Sequence, residues 1–136
     1  MKHKKSLPDI CNQTDIKLFV DVFYGRIKND PLLAPIFTER IPDDAWEKHL
    51  NRMYGFWNTV LFFQKEYKGN PFAKHMHLEV NAEHFQQWLY LFKTTIDSHF
   101  QGPTADSTKN RADKMAALFA GKIAYLKQHP NLKPLM

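Results

Sequence analysis

The chain has a single cysteine, Cys11, among its 136 residues. That excludes an internal disulfide framework and any multi-cysteine zinc site. Glycine is equally scarce, with five scattered residues. No G-x-G-x-x-G, P-loop, nucleophile elbow or H-E-x-x-H motif is present, so phosphate cradles and the common hydrolase machineries have no footing. Long apolar runs are missing as well. The N-terminus carries no signal-peptide core and no segment reaches bilayer length, which predicts a soluble, cytoplasmic protein with no membrane partner. Alternating strand patterns, repeats and low-complexity tracts are absent too.

Large aromatic side chains are what the sequence does have. Hydrophobic residues make up 43% of it and aromatics 14%, with eleven Phe, five Tyr and three Trp. A chain of this size and composition forms one compact domain, and that much flat apolar surface either fills a core or lines a flat ligand. The net charge of +5 comes from Lys and Arg scattered along the chain, apart from Lys2-His3-Lys4-Lys5. With no basic stripe and no strands to carry a stacking platform, nucleic acid is not expected as a partner.

Helical periodicity organises the rest. Residues 1–13 are polar, contain Pro8 and read as a flexible tail; residues 14–129 form the domain, and residues 130–136 a C-terminal tail. Ile16, Phe19, Val20, Phe23, Tyr24 and Ile27 recur at helical spacing until Asn29-Asp30-Pro31 stops them. The proline-rich stretch to Pro42 predicts a turn or short helical corner presenting Leu33, Ile36 and Phe37. Asp43 or Asp44 is expected to cap a helix with Trp46, His49, Leu50, Met53, Phe56, Trp57, Val60 and Leu61 on one face. Pro71 can open a short helix bearing Phe72 and His75, and Asn81 can cap a longer one with Phe85, Trp88, Leu89, Phe92, Ile96 and Phe100 inward. After the Gly102-Pro103 break, a last helix runs from about Asp106 to Gln128. The fold class is all-α, with two packed helix pairs.

Two histidines among apolar neighbours, His49 and His75, carry the chemical signal. A neutral imidazole can hold haem iron by one axial bond while the opposite side stays open for a gas. His75 is the candidate ligand, and His77 a neighbour that periodicity alone does not separate from it. The lone cysteine excludes covalent C-x-x-C-H attachment. Across the porphyrin, bound dioxygen needs hydrogen-bond donors in a dry pocket, and Tyr24, Trp88 and His49 are the candidates. Each also fits ordinary core packing. Met53, one turn after His49, can close such a pocket, and Arg52 can reach a propionate at its rim.

The segments Phe23-Tyr24, Asp30-Pro31-Leu32-Leu33-Ala34-Pro35-Ile36-Phe37, Trp46-x-x-His49, Phe56-Trp57, Gly69-x-Pro71-x-x-x-His75 and Phe85-x-x-Trp88-Leu89 resemble those of the group III truncated haemoglobins, bacterial globins with a two-over-two helical sandwich. The resemblance spans residues 16–126. It implies noncovalent haem b with His75 as the proximal iron ligand, Tyr24 as the distal tyrosine, Trp88 as the tryptophan approaching bound ligand and His49 as a distal gate. It places Met53 and Phe37 on the haem, Arg52 near a propionate, and Phe23, Phe56 and Phe72 in the cofactor's surroundings. The implied ligands are O2, NO, CO, cyanide or peroxide. The implied activity is oxidation of nitric oxide to nitrate by a monomer served by an electron-donating reductase. An O2 carrier or sensor and a peroxidase-like enzyme are the alternatives.

Overall fold

The computed structural model describes residues 6–63 and 80–129. The expected short helix with Phe72, His75 and His77 lies outside the described residues. Five α-helices make up the described part: α1 (Gln13–Lys28), α2 (Ala34–Arg40), α3 (Trp46–Phe62), α4 (Ala82–His99) and α5 (Pro103–Gln128). No strand occurs among the described residues. None of these helices is long and apolar enough to cross a membrane.

Each helix begins where local chemistry satisfies its free N–H groups. Asn12 caps α1 by accepting from Asp15 N, and the Asp15 carboxylate accepts in return from Cys11 N. Asn81 caps α4 in a box closed by His84, as the sequence implied for Asn81. Two starts differ from expectation. Asp43 and Asp44 do not cap α3; they form a single 3-10 turn with Ala45, which leads directly into Trp46. And α5 starts at Pro103, not near Asp106, because proline at the first helical position loses no hydrogen bond and already has helical φ.

The flexible tail of residues 1–13 is corrected for residues 8–12. Ile10 is only 1% exposed and belongs to the core, and Gln101 N donates to Pro8 O. The Asp9 carboxylate accepts from Thr104 N at 2.9 Å and Ala105 N at 2.8 Å, serving as the N-cap that Gly102 lacks. Gly102 has φ +140, and a Cβ there would lie 2.6 Å from Asp9 Cγ, so only glycine lets the two segments meet.

α1 packs on α3, and α4 on α5, while α1 crosses α4 to join the two pairs. Phe19 is at the centre, edge-on to Trp57, Phe92 and Phe100. Ile16, Val20, Phe23, Ile27, Phe92 and Ile96 complete a buried seam between the pairs. All of them lie on the stripes that the spacing predicts. Burying each such side chain is worth about 1.5–3 kcal/mol, so this seam is what fixes how the pairs cross.

Candidate functional site

On one side of this seam the pairs part around a cavity of about 360 Å³ with walls from all five helices. Its volume is within the usual range for small-molecule pockets. α1 contributes Phe23 and Tyr24, α2 Phe37 and Arg40, and α3 His49, Arg52, Met53, Phe56 and Trp57. From the other pair come His84, Phe85, Trp88 and Phe92 on α4, and Met115, Ala116 and Phe119 on α5.

One end of the cavity is an aromatic cage. The Tyr24 ring meets Phe23 and His49 at 4.9 Å, Trp46 at 5.9 Å and Phe37 at 6.1 Å between centroids, every contact edge-on. Phe23 stands edge-on to Trp88 at 5.5 Å, and Trp88 stacks on Phe92 with their planes 7° apart. Phe92 in turn stacks on Trp57 at 5.2 Å. Edge-to-face and stacked rings interlock more specifically than aliphatic chains of equal area, so the polar tips are held by rigid bodies.

No hydrogen bond of the Tyr24 hydroxyl or the Trp88 indole N–H to another described residue is found; Tyr24 is buried, Trp88 is half-buried, and both residues line the cavity. Burial alone pushes the Tyr24 phenol far above its ordinary pKa, so the group stays protonated and able to donate. His49 packs edge-on against both the Tyr24 and the Trp46 rings. Arg40 and Arg52, both exposed, bring positive charge to the border of the cavity. Among the described residues no three His, Cys, Asp or Glu side chains gather to hold a bare metal ion.

The structure thus brings Phe23, Tyr24, Phe37, His49, Arg52, Met53, Phe56 and Trp88 to one cavity. His75 and Phe72 lie outside the described residues. Sequence reasoning did not single out Arg40, His84 or the α5 side chains. Met115 and Phe119 stand on the inward stripe of α5, but spacing does not distinguish a cavity wall from a packed core. Arg40 follows Phe37 by one helical turn, which is the signal that could have found it. His84 could have been found from Asn81, since it completes that cap: its Nδ1 accepts from Asn81 N while the ring borders the cavity.

A helical sandwich enclosing an aromatic pocket lined by a tyrosine and a tryptophan is the design of a globin. The chain belongs to the bacterial-like globin family, whose pattern it matches over residues 8–123. It is 30% identical over 118 residues to the group 3 truncated hemoglobin ctb of Campylobacter jejuni, an alignment covering 85% of this chain and 93% of that protein. The crystal structure of the group III truncated hemoglobin from Campylobacter jejuni superposes with a TM-score of 0.77 at 28% identity, over 84% of this chain and 92% of the other. The resemblance to group III truncated haemoglobins and the all-α truncated globin fold are therefore both borne out. As a globin the chain is a haem-binding protein that takes gases. The cavity suits that group: its walls are aromatic and apolar, as a porphyrin's faces require, its lining includes the arginines Arg40 and Arg52, and it includes Tyr24 and Trp88, residues able to donate hydrogen bonds.

Proposed function

We propose that the chain holds haem b noncovalently, with His75 as its axial ligand, and converts nitric oxide to nitrate. When bound, the haem supplies an iron centre that takes diatomic gases and changes oxidation state by one electron. The overall reaction joins one NO, one O2 and one electron into one nitrate, the electron coming from a separate reductase. Tyr24 and Trp88 donate hydrogen bonds into the gas site from two different helices. Donors to a partly charged ligand stabilise it by about 1.5–3 kcal/mol each, which slows its release and favours reaction over delivery. Phe37, Met53 and Phe56 exclude water from that site, so that the two bonds act in a dry surrounding. His49, whose ring packs edge-on against Tyr24, controls entry. Arg52 and Arg40 pair with the propionates, and one chain suffices as a monomer.

The observation that carries this reading is that Tyr24 and Trp88, two residues able to donate hydrogen bonds, come from two different helices to line one largely apolar cavity. The experiment is a hemin titration of the purified chain followed by stopped-flow mixing of the oxygenated protein with NO. Stoichiometric hemin uptake and a fast conversion to ferric protein plus nitrate are expected. His75→Gly should lose hemin unless imidazole is added. A chain that takes up no hemin, an unchanged haem spectrum in His75→Gly, or an oxygenated protein that yields no nitrate refutes the corresponding part.

A further inference from the structure

Arg26 lies one helical turn after Phe23 on α1 and reaches across to α4. Its Nη1 donates to Leu91 O at 3.0 Å, Thr94 Oγ1 at 2.7 Å and Thr95 Oγ1 at 3.0 Å. All three acceptors are neutral. The threonine hydroxyls are pre-oriented for this, because each already donates its hydrogen to a helix carbonyl, Thr94 to Tyr90 O at 2.6 Å and Thr95 to Leu91 O at 2.7 Å. Their lone pairs are left to face the guanidinium. Placing a half-buried cation on neutral oxygens sacrifices hydration that an apolar side chain would not lose, so simple helix packing does not account for it.

One turn further along the chain, just past the C-cap Asn29 of α1, there is a second tie: Asp30 Oδ1 accepts from Gln87 Nε2 at 2.7 Å, while Asp30 Oδ2 accepts from Leu32 N and Leu33 N in the turn. On α4 the two ties attach at Gln87, directly before Trp88, and at Leu91 to Thr95, starting one turn after it. One turn before Arg26, Phe23 stands edge-on to Trp88 at 5.5 Å and to Tyr24 at 4.9 Å. Sliding α1 along α4 would break both ties and carry Tyr24 away from Trp88.

We propose that Arg26 is a positioning residue for the gas site: its tie to Leu91, Thr94 and Thr95 sets the register of α1 on α4 and with it the separation of the Tyr24 and Trp88 donors. The proposal rests on the reading that these two groups donate to bound gas. Nη1 has two hydrogens for three acceptors, so at least one is shared between two of them. An ammonium has three hydrogens on one nitrogen, and Lys at this position can serve the same oxygens.

The test uses the haem-loaded protein and two readouts: the C–O stretching band of its carbon monoxide complex, which reports the field of nearby donors, and the O2 dissociation rate. Arg26→Met should shift or broaden the band in the direction produced by Tyr24→Phe or Trp88→Phe, and should speed O2 release roughly threefold, as expected for a donor bond weakened but not lost. Arg26→Lys should restore both. Thr94→Val with Thr95→Val, which removes two of the three acceptors and keeps the arginine, should give the same band shift and faster release, and it decides the matter where Arg26→Met does not fold. The proposal is overturned if Arg26→Met and the threonine pair lower Tm but leave band and rate at wild-type values. If Tyr24→Phe and Trp88→Phe also leave the band in place, the donor reading itself fails and the positioning role falls with it.

Discussion

Replacing Tyr24 by Phe should affect the empty and the gas-loaded protein in opposite senses. Tyr24 is buried in the aromatic cage, and no hydrogen bond of its hydroxyl is found among the described residues. A buried hydroxyl without a partner costs about 1–3 kcal/mol in proteins. Tyr24 lines a cavity that can admit water, so only the lower part of that range applies. Tyr24→Phe should thus leave the haem-free chain as stable as wild type or more stable, by roughly 0–1 kcal/mol, because the ring contacts with Phe23, Phe37, Trp46 and His49 are kept. In the gas complex the same change removes a donor to a partly charged ligand, about 1.5–3 kcal/mol, or roughly a tenfold to hundredfold faster O2 release. Urea unfolding of the haem-free variant measures the first quantity, and stopped-flow displacement of O2 by CO the second. A loss of more than 1 kcal/mol in the haem-free chain would show that the hydroxyl has an essential protein partner. An unchanged release rate would remove it from the gas site.

Trp88→Phe keeps the stack on Phe92 and loses the indole N–H, so O2 release should again accelerate while the far-UV circular dichroism stays as in wild type. Asp9→Ala uncaps α5 and should lower stability by about 1–2 kcal/mol, seen as a Tm fall of roughly 3–8 °C. Burial raises the Asp9 pKa, but the bonds from Thr104, Ala105 and Ile10 outweigh it and hold the carboxyl below its ordinary value. A depressed folded-state pKa stabilises above the unfolded value near 3.9 and ceases to as pH drops through the folded one. The gap between wild type and Asp9→Ala should be constant from neutral pH to about pH 5 and narrow below about pH 4; a gap that widens in acid contradicts this. Gly102→Ala meets both a φ of +140 and the Asp9 side chain, so it should cost roughly 1–3 kcal/mol from backbone strain alone. Combined with Asp9→Ala it should cost less than the sum in thermal unfolding, since the clash partner is gone.

Much of this molecule follows from local patterns. The stripes Ile16 to Ile27 and Trp46 to Leu61 place α1 and α3 and their inner faces, since apolar residues at helical spacing can be buried only together. Asn81 marks the start of α4 because its side chain competes with the backbone for the first free N–H groups. Contacts between segments distant in sequence leave no such trace. Asp9 and Ile10 sit among polar residues and lack a period, yet Asp9 caps the start of α5 more than ninety residues away and Ile10 is buried in the core. Arg26 looks like an ordinary surface cation at the end of an amphipathic helix until Thr94 and Thr95 are brought beside it. In the pocket, Tyr24, His49 and Trp88 stand out in the sequence as hydrogen-bonding rings on apolar stripes, the donors that a haem-bound gas needs, although each also fits ordinary core packing. Met115, Ala116 and Phe119 do not, because an aliphatic or phenyl wall looks the same in sequence whether it faces a neighbour or a void.

The stacked column from Trp88 through Phe92 to Trp57 has a practical corollary. Trp57 and Trp88 both line the cavity, and the third and last tryptophan, Trp46, flanks Tyr24 and His49 at its edge. Every indole fluorophore in the chain is consequently within energy-transfer range of whatever pigment enters, and intrinsic emission should go dark in proportion to the fraction of molecules loaded. The protein carries its own optical gauge of occupancy, with no label to attach.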